Sequence, residues 1–275
     1  MKAVLILSRQ HGDDATRRAR EDALLHRAVT AGLTVWEVGH LYHLAEDCSL
    51  WRDLAALGGP CAVALWLPAR PTQALLQRHG AWRNGMLAVD LAQDDIWPSI
   101  SAALSLPDTT EPPGPVIHRD DDDKAERERW YPLVDNSVCV DCGQCLQFCL
   151  FGVYEKDAAG HLTVAKPDRC KAGCPACSRI CPQGAIMFPL YSKDPAIAGA
   201  PGTRMHLDAA GRALFFNRTG QACPVCNFAG KTDPGRDGPL CAGCGRHTRP
   251  AQERSADAVD MLLDDLDRLQ KRRGR

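Results

Sequence analysis

The sequence predicts an α/β domain with a mostly parallel sheet, followed by a cysteine-rich α+β module, a second small cysteine segment and a C-terminal helix. Three observations predict this architecture. Short apolar runs alternate with segments of helical spacing over residues 1–105. Eight of the fourteen cysteines lie within residues 131–190, and four more lie within residues 205–250. Apolar residues recur at helical spacing within residues 252–272, as in an amphipathic helix.

The α/β domain begins with the apolar run Ala3–Leu7, which is typical of a strand buried on both faces. Helical spacing follows from Asp14 to Ala31 and stops at Gly32, since glycine commonly follows the last residue of a helix. Further alternation predicts a small parallel sheet covered by helices. The remaining predicted strands are Leu33–Val38, Ala62–Leu67 and Met86–Val89, and the remaining predicted helices are Trp51–Leu57, Pro71–Arg78 and Trp97–Leu104.

Polar side chains follow the predicted strands of this domain. His11 comes after the first strand, and His40 and His43 come after the second. Arg9 and Arg70 follow the first and third strands. Because ligands of open parallel sheets bind beyond the carboxyl ends of the strands, these residues predict a site for a metal or an anion. The alternative is that they are ordinary polar loop residues. No glycine-rich nucleotide-binding motif is present.

Residues 106–130 are predicted to be a linker. Four prolines interrupt regular structure, and an acidic run, Asp120–Asp123, follows them. The prolines are Pro107, Pro112, Pro113 and Pro115.

The module at residues 131–190 contains two similar cysteine motifs. Each has three cysteines in short succession and a fourth cysteine four residues further on. Without an export signal these thiols are expected to be reduced, so a metal framework is favoured over disulfides. The motifs are Cys139, Cys142, Cys145 and Cys149, then Cys170, Cys174, Cys177 and Cys181.

This spacing suits two cubane iron–sulfur clusters. Three closely spaced cysteines reach three irons of one cluster, while the fourth begins a short helix and points away to the other cluster. Zinc binding by the same cysteines, or a purely structural role for the clusters, are the alternatives. The crossed assignment gives Cys139, Cys142, Cys145 and Cys181 to the first [4Fe-4S] cluster, and Cys170, Cys174, Cys177 and Cys149 to the second.

These motifs resemble those of bacterial-type two-cluster ferredoxins, most closely in the segment 181–186, Cys-Pro-Gln-Gly-Ala-Ile. The resemblance covers about 50 residues and implies one-electron transfer. Two departures are present: Leu150 replaces a usual proline, and three residues instead of two separate Cys170 from Cys174. Between the motifs, Val153-Tyr154 and Leu162–Val164 predict a β-hairpin.

The segment 205–250 contains two further pairs of cysteines, each with a two-residue gap. Four such thiolates form a closed tetrahedral site, and the segment resembles a zinc ribbon. We therefore expect one Zn²⁺ here, with a rubredoxin-like iron site as the alternative. The four ligands are Cys223, Cys226, Cys241 and Cys244.

The helix predicted within residues 252–272 presents an apolar stripe from Val259 to Leu269. That stripe is expected to dock on its own chain, on a second copy or on a redox partner, so an oligomer is one option.

Composition narrows the functional classes. The chain has 33 Lys and Arg against 34 Asp and Glu, which argues against nucleic-acid or membrane-surface binding. No apolar run approaches a membrane span, so a cytoplasmic protein is expected. The expected function is electron transfer, as a ferredoxin-like carrier or as a subunit serving a partner oxidoreductase. The alternatives are an enzyme whose active site contains His11, His40 and His43, and a redox-sensing binding protein.

Overall fold

The computed structural model describes residues 3–106, 112–119 and 128–205. It contains two compact units, Met1–Arg129 and Trp130–Arg275. The four cysteines predicted to bind zinc and the predicted C-terminal helix lie outside the described residues.

The first unit is built on a five-stranded sheet in the order β4-β3-β1-β2-β5. All four strand pairings are parallel, which confirms the predicted α/β class. Every residue of β1 and β3 is buried, as the continuous apolar runs predict. The strands are β1 (Val4–Ser8), β2 (Thr34–Val38), β3 (Cys61–Leu65), β4 (Met86–Asp90) and β5 (Val116–Arg119).

Four helices connect these strands. The first begins after Asp14, whose carboxylate accepts hydrogen bonds from the backbone N–H groups of Thr16 and Arg17. A single 3₁₀ turn, Leu41–His43, follows β2. The helices are α1 (Ala15–Thr30), α2 (Ser49–Ala56), α3 (Ala69–Arg78) and α4 (Trp97–Leu104).

Strand β5 lies inside the segment predicted to be a linker, and for residues 116–119 that prediction is wrong. The strand pairs only with β2 at the sheet edge and is not buried, so it carries no apolar pattern. Gly114 lets the preceding chain pass close to α1 and β2. A Cβ atom at this position would lie 1.8 Å from the carbonyl oxygen of Leu33.

The second unit consists of short elements, as expected for a small α+β module. Between residues 128 and 205 there are two antiparallel strand pairs, and the pair β7–β8 is the hairpin predicted between the cysteine motifs. The elements are β6 (Leu133–Val134), α5 (Gln144–Phe148), β7 (Tyr154–Lys156), β8 (Leu162–Val164), α6 (Ala176–Ile180), β9 (Ile186–Met187) and α7 (Pro195–Ala198).

The apolar core of the second unit surrounds the cysteines. Phe188 and Ile186 are fully buried in it, and Trp130 stacks on Phe188 with ring centroids 5.3 Å apart. The indole N–H of Trp130 donates to the carbonyl oxygen of Cys174 at 3.2 Å, which holds one cysteine loop against this core. None of the helices in the described ranges has the length and apolar content that crossing a bilayer requires.

Candidate functional site

The two cysteine motifs fold alike around helices α5 and α6. Cys145 is the second residue of α5, and Cys177 is the second residue of α6. Cys149 and Cys181 lie directly after the last residues of the same helices. The expectation that each fourth cysteine begins a helix is therefore wrong: each one ends a helix, because the chain becomes extended at that residue.

One cavity in the second unit is lined by four cysteines. Leu162, Ala185 and Ile186 add apolar surface to its wall. Cys181 comes from the second motif, whereas the other three belong to the first. The four are Cys139, Cys142, Cys145 and Cys181.

Electrostatic interactions between the thiols follow the same grouping. Burial raises the pKa of Cys139, Cys142 and Cys145, and the thiol of Cys181 raises each of these pKa values further. These four sulfur atoms are therefore neighbours.

The remaining four cysteines form the second group. Burial raises the pKa of Cys170 and Cys177, and the thiols of Cys174 and Cys149 raise both pKa values further. Cys149, from the first motif, thus lies beside the three leading cysteines of the second. The neighbours of each thiol match the crossed assignment, while cluster ligation itself stays a prediction.

Each group contains four thiols, the number of ligands that a cubane iron–sulfur cluster requires. Within the described ranges, no three His, Cys, Asp or Glu side chains are arranged to hold one metal ion. A cubane cluster places its four thiolates on four different irons, so the sulfurs surround a larger volume than one ion would allow.

Cysteine sulfurs accept hydrogen bonds from both a side chain and the backbone. The hydroxyl of Tyr154 donates to Sγ of Cys177 at 3.0 Å, and the backbone N–H of Ala185 donates to Sγ of Cys181 at 3.3 Å. Tyr154 is 2 % exposed and lies on β7 of the hairpin. From the sequence, Tyr154 was predicted only to lie on a strand, and its contact with a cysteine sulfur was missed. The available signal was a tyrosine, with its hydroxyl donor, on the strand between the two motifs.

The two departures from the ferredoxin pattern have visible consequences. The extra residue before Cys174 is accommodated by a turn in which the N–H of Cys174 donates to the carbonyl oxygen of Lys171 at 3.1 Å. Gly173 adopts a φ of 75° in this turn, a conformation that glycine adopts readily. Leu150 directly follows Cys149 and is 41 % exposed, where a proline is usual.

Three of the histidines in the first unit, His11, His40 and His43, lie close together. The ring centroids of His11 and His43 are 4.8 Å apart, and those of His40 and His43 are 4.6 Å apart. His40 and His43 are buried, whereas His11 is exposed. Arg9 is instead paired with Glu37 at 2.8 Å.

Comparison with known proteins finds similarity over part of the chain. Over 61 residues the chain is 41 % identical to an uncharacterised ferredoxin of Methanocaldococcus jannaschii, which is 22 % of this chain and 41 % of that protein. Over 55 residues it is 40 % identical to the pyruvate synthase subunit PorD of the same organism, which is 20 % of this chain and 62 % of that subunit.

The similarity therefore spans about half the length of these relatives. No family model matches the chain, and no solved structure matches it. Together with the cysteine motifs, the two similarities support a ferredoxin-type module.

Proposed function

We propose that this protein transfers electrons through two [4Fe-4S] clusters, as a ferredoxin-like carrier or as a subunit serving a partner oxidoreductase. The observation that carries the proposal is the crossed grouping of eight cysteine thiols within one small unit. The proposed ligands are Cys139, Cys142, Cys145 and Cys181 for the first cluster, and Cys170, Cys174, Cys177 and Cys149 for the second.

Iron–sulfur clusters supply one-electron redox chemistry when bound. The chain contributes four thiolates per cluster, which leaves no coordination position for a substrate. Apolar side chains such as Leu162 and Ile186 exclude water from the first group of thiols. The hydrogen bonds from Tyr154 and Ala185 add donors to the cysteine sulfurs, one of the means by which proteins set cluster potentials.

The surface beside the cysteines suits contact with a protein partner. Three large apolar side chains are exposed among the described residues, and two of them flank the cysteines. Val140, between Cys139 and Cys142, is 58 % exposed, and Leu150 is 41 % exposed. Similarity to a subunit of pyruvate synthase favours an oxidoreductase as that partner. We also propose that Cys223, Cys226, Cys241 and Cys244 bind one structural Zn²⁺.

The proposal is tested on the full chain, purified without oxygen. Two four-thiolate sets predict about eight irons per chain, together with about one zinc. Reduction should produce the EPR signals of two [4Fe-4S] clusters and take up about two electrons per chain. Four or fewer irons in fully loaded protein would contradict the two-cluster assignment, and nine irons without zinc would contradict the zinc site.

A further inference from the structure

His11, His40 and His43 lie on two loops of the first unit whose positions are fixed by buried hydrogen bonds. Strands β1 and β2 are adjacent and parallel, so the loops after Ser8 and Val38 emerge side by side. The buried hydroxyl of Ser8 donates to the carbonyl oxygen of Gly39 at 3.1 Å and accepts from the N–H of Leu41 at 3.0 Å. One side chain at the end of β1 thereby positions the turn that carries His40 and His43.

A second anchor holds the loop that carries His11. Glu21 on α1 is 1 % exposed. One oxygen of its carboxylate accepts hydrogen bonds from the backbone N–H of Gln10 and from the indole N–H of Trp66, both at 2.7 Å. Its other oxygen lies 3.3 Å from the guanidinium of Arg9. The carboxylate of Glu21 therefore connects the loops after β1 and β3 to α1, and both of its oxygens already have partners.

The hydrogen bonds around the histidines suit rings that donate N–H groups to a ligand better than rings that bind a metal ion. The backbone N–H of Arg129 donates to Nδ1 of His43 at 2.9 Å, so the neutral ring carries its proton on Nε2. A metal at that Nε2 would have to displace this proton. Nδ1 of His40 is buried and has no hydrogen-bond partner in the described part of the chain, which costs free energy until a ligand supplies one.

The charges facing these rings are positive. Arg17, His11 and His43 lower the pKa of His40, and Arg129 and His11 lower the pKa of His43, in both cases adding to the larger effect of burial.

The carboxylates near these rings are already engaged. Glu46 pairs with Arg129 at 2.9 Å and with Arg78 at 2.6 Å. Asp14 caps α1 and lies 3.6 Å from Arg17. Together with Glu21, they leave the histidines in surroundings that disfavour a cation and favour an anion.

We propose that His11, His40 and His43 form a binding site for an oxyanion, either a carboxylate or a tetrahedral group such as phosphate. The buried rings provide imidazole N–H donors, and the exposed ring of His11 lies beside that of His43. This site is independent of the cysteines, so the proposal stands or falls separately from electron transfer.

The test is calorimetric titration of the cluster-loaded full chain with sulfate and, separately, with acetate. Neither probe changes its charge between about pH 6 and pH 8. A negative ligand raises the pKa of the neighbouring imidazoles, so binding takes up a proton and tightens as the pH falls. We expect at least one probe to bind about tenfold more tightly at pH 6 than at pH 8. Sulfate alone would identify a tetrahedral ligand, and acetate alone a carboxylate.

Variants distinguish this site from general anion binding. His11→Ala removes an exposed ring and should leave folding intact, yet it should weaken binding about tenfold or more. His40→Leu should abolish the proton uptake. His26→Ala is the matched control, because His26 is an exposed histidine on α1 outside the cluster, and it should bind as the wild type does.

Three results would overturn the proposal. The first is that neither sulfate nor acetate binds the wild-type chain. The second is that the binding survives both His11→Ala and His40→Leu. The third is that Co²⁺ binds at these histidines with a ligand-field spectrum that His11→Ala removes, since the site would then hold a metal.

Discussion

The hydroxyl of Tyr154 is the side-chain group with the most direct effect on a proposed cluster ligand. It is buried and donates to Sγ of Cys177 at 3.0 Å. Reduction adds negative charge to the sulfurs, so a donor at this position stabilises the reduced state more than the oxidised state. The same side chain interacts electrostatically with Cys145 and Cys149 and therefore lies close to both groups of thiols.

Tyr154→Phe should lower the reduction potential of the second proposed cluster and leave the first nearly unchanged. The ring volume is kept, and the lost hydrogen bond should cost about 1 kcal/mol of stability. EPR of samples poised at a series of potentials measures the reduction potentials of both proposed clusters. Tyr42→Phe, at a buried tyrosine of the first unit, is the control. An unchanged second potential in Tyr154→Phe would show that the hydroxyl does not tune the cluster.

Single residues also give the first unit a pH-dependent stability. Burial lowers the pKa of His40 to about 3, and the pKa of His43 and of His79 to about 4. The unfolded chain protonates these histidines near pH 6.5. Between these values the unfolded state binds more protons, so the free energy of unfolding rises with pH and becomes constant above about pH 6.5.

We expect acidification from about pH 7.5 to pH 5 to destabilise the first unit. A buried histidine such as His40 can contribute up to about 1.4 kcal/mol per pH unit below its unfolded pKa. Urea unfolding in buffers without sulfate measures the slope. His79→Phe keeps the stacking on Trp51, whose ring lies 3.8 Å from that of His79, and removes one titrating group. It should therefore give a shallower slope. A stability that is independent of pH in the wild type would contradict the burial of these rings.

At the scale of elements, helices α5 and α6 are the parts that join the two groups of thiols. Each helix has a cysteine of one group at its second residue and a cysteine of the other group directly after its last. The hairpin β7–β8 is tied to the first motif, because Asp141 accepts a hydrogen bond from the N–H of Leu162 at 2.7 Å. Loss of Cys149 or of Cys181, the fourth cysteine of each motif, should therefore damage the cluster held by the other motif.

Cys181→Ala should lose the first proposed cluster and keep the second, whereas Cys149→Ala should do the reverse. Each variant should retain about four irons. Adding Tyr154→Phe identifies the surviving cluster, because it should shift the remaining potential only in the Cys181→Ala background. A shift seen only in the Cys149→Ala background would show that each motif binds its own cluster.

At the scale of the whole molecule, the sequence predicted regular features well and context-dependent ones poorly. The buried strands β1 and β3 and the hairpin between the motifs follow from local patterns. Strand β5 does not, because only its pairing with β2 makes it a strand. The roles of Ser8 and Glu21 were also missed, since each depends on partners from distant loops.

The exposed apolar residues beside the cysteines predict where a partner docks. Val140→Glu and Leu150→Glu together should slow reduction of the chain by a partner oxidoreductase about tenfold, because charge at an interface disfavours the bound state. The measurement is the reduction rate under anaerobic turnover, in a pair for which the wild-type chain is a substrate. Ile117→Glu, at the third exposed apolar residue, is the control on the first unit. Equal rates for all the variants would place the docking surface elsewhere.

The shortness of α5 and α6 has a consequence for the movement of charge. The two ligands on each helix are four positions apart in the sequence, which corresponds to a rise of about 6 Å along a helix axis. Electron tunnelling over so short a gap is far faster than the encounter of two proteins. An electron delivered at either end would equilibrate between both centres before a partner leaves. Two unpaired spins held so close would also couple magnetically, so the EPR signals of the two clusters would broaden and split when both are reduced.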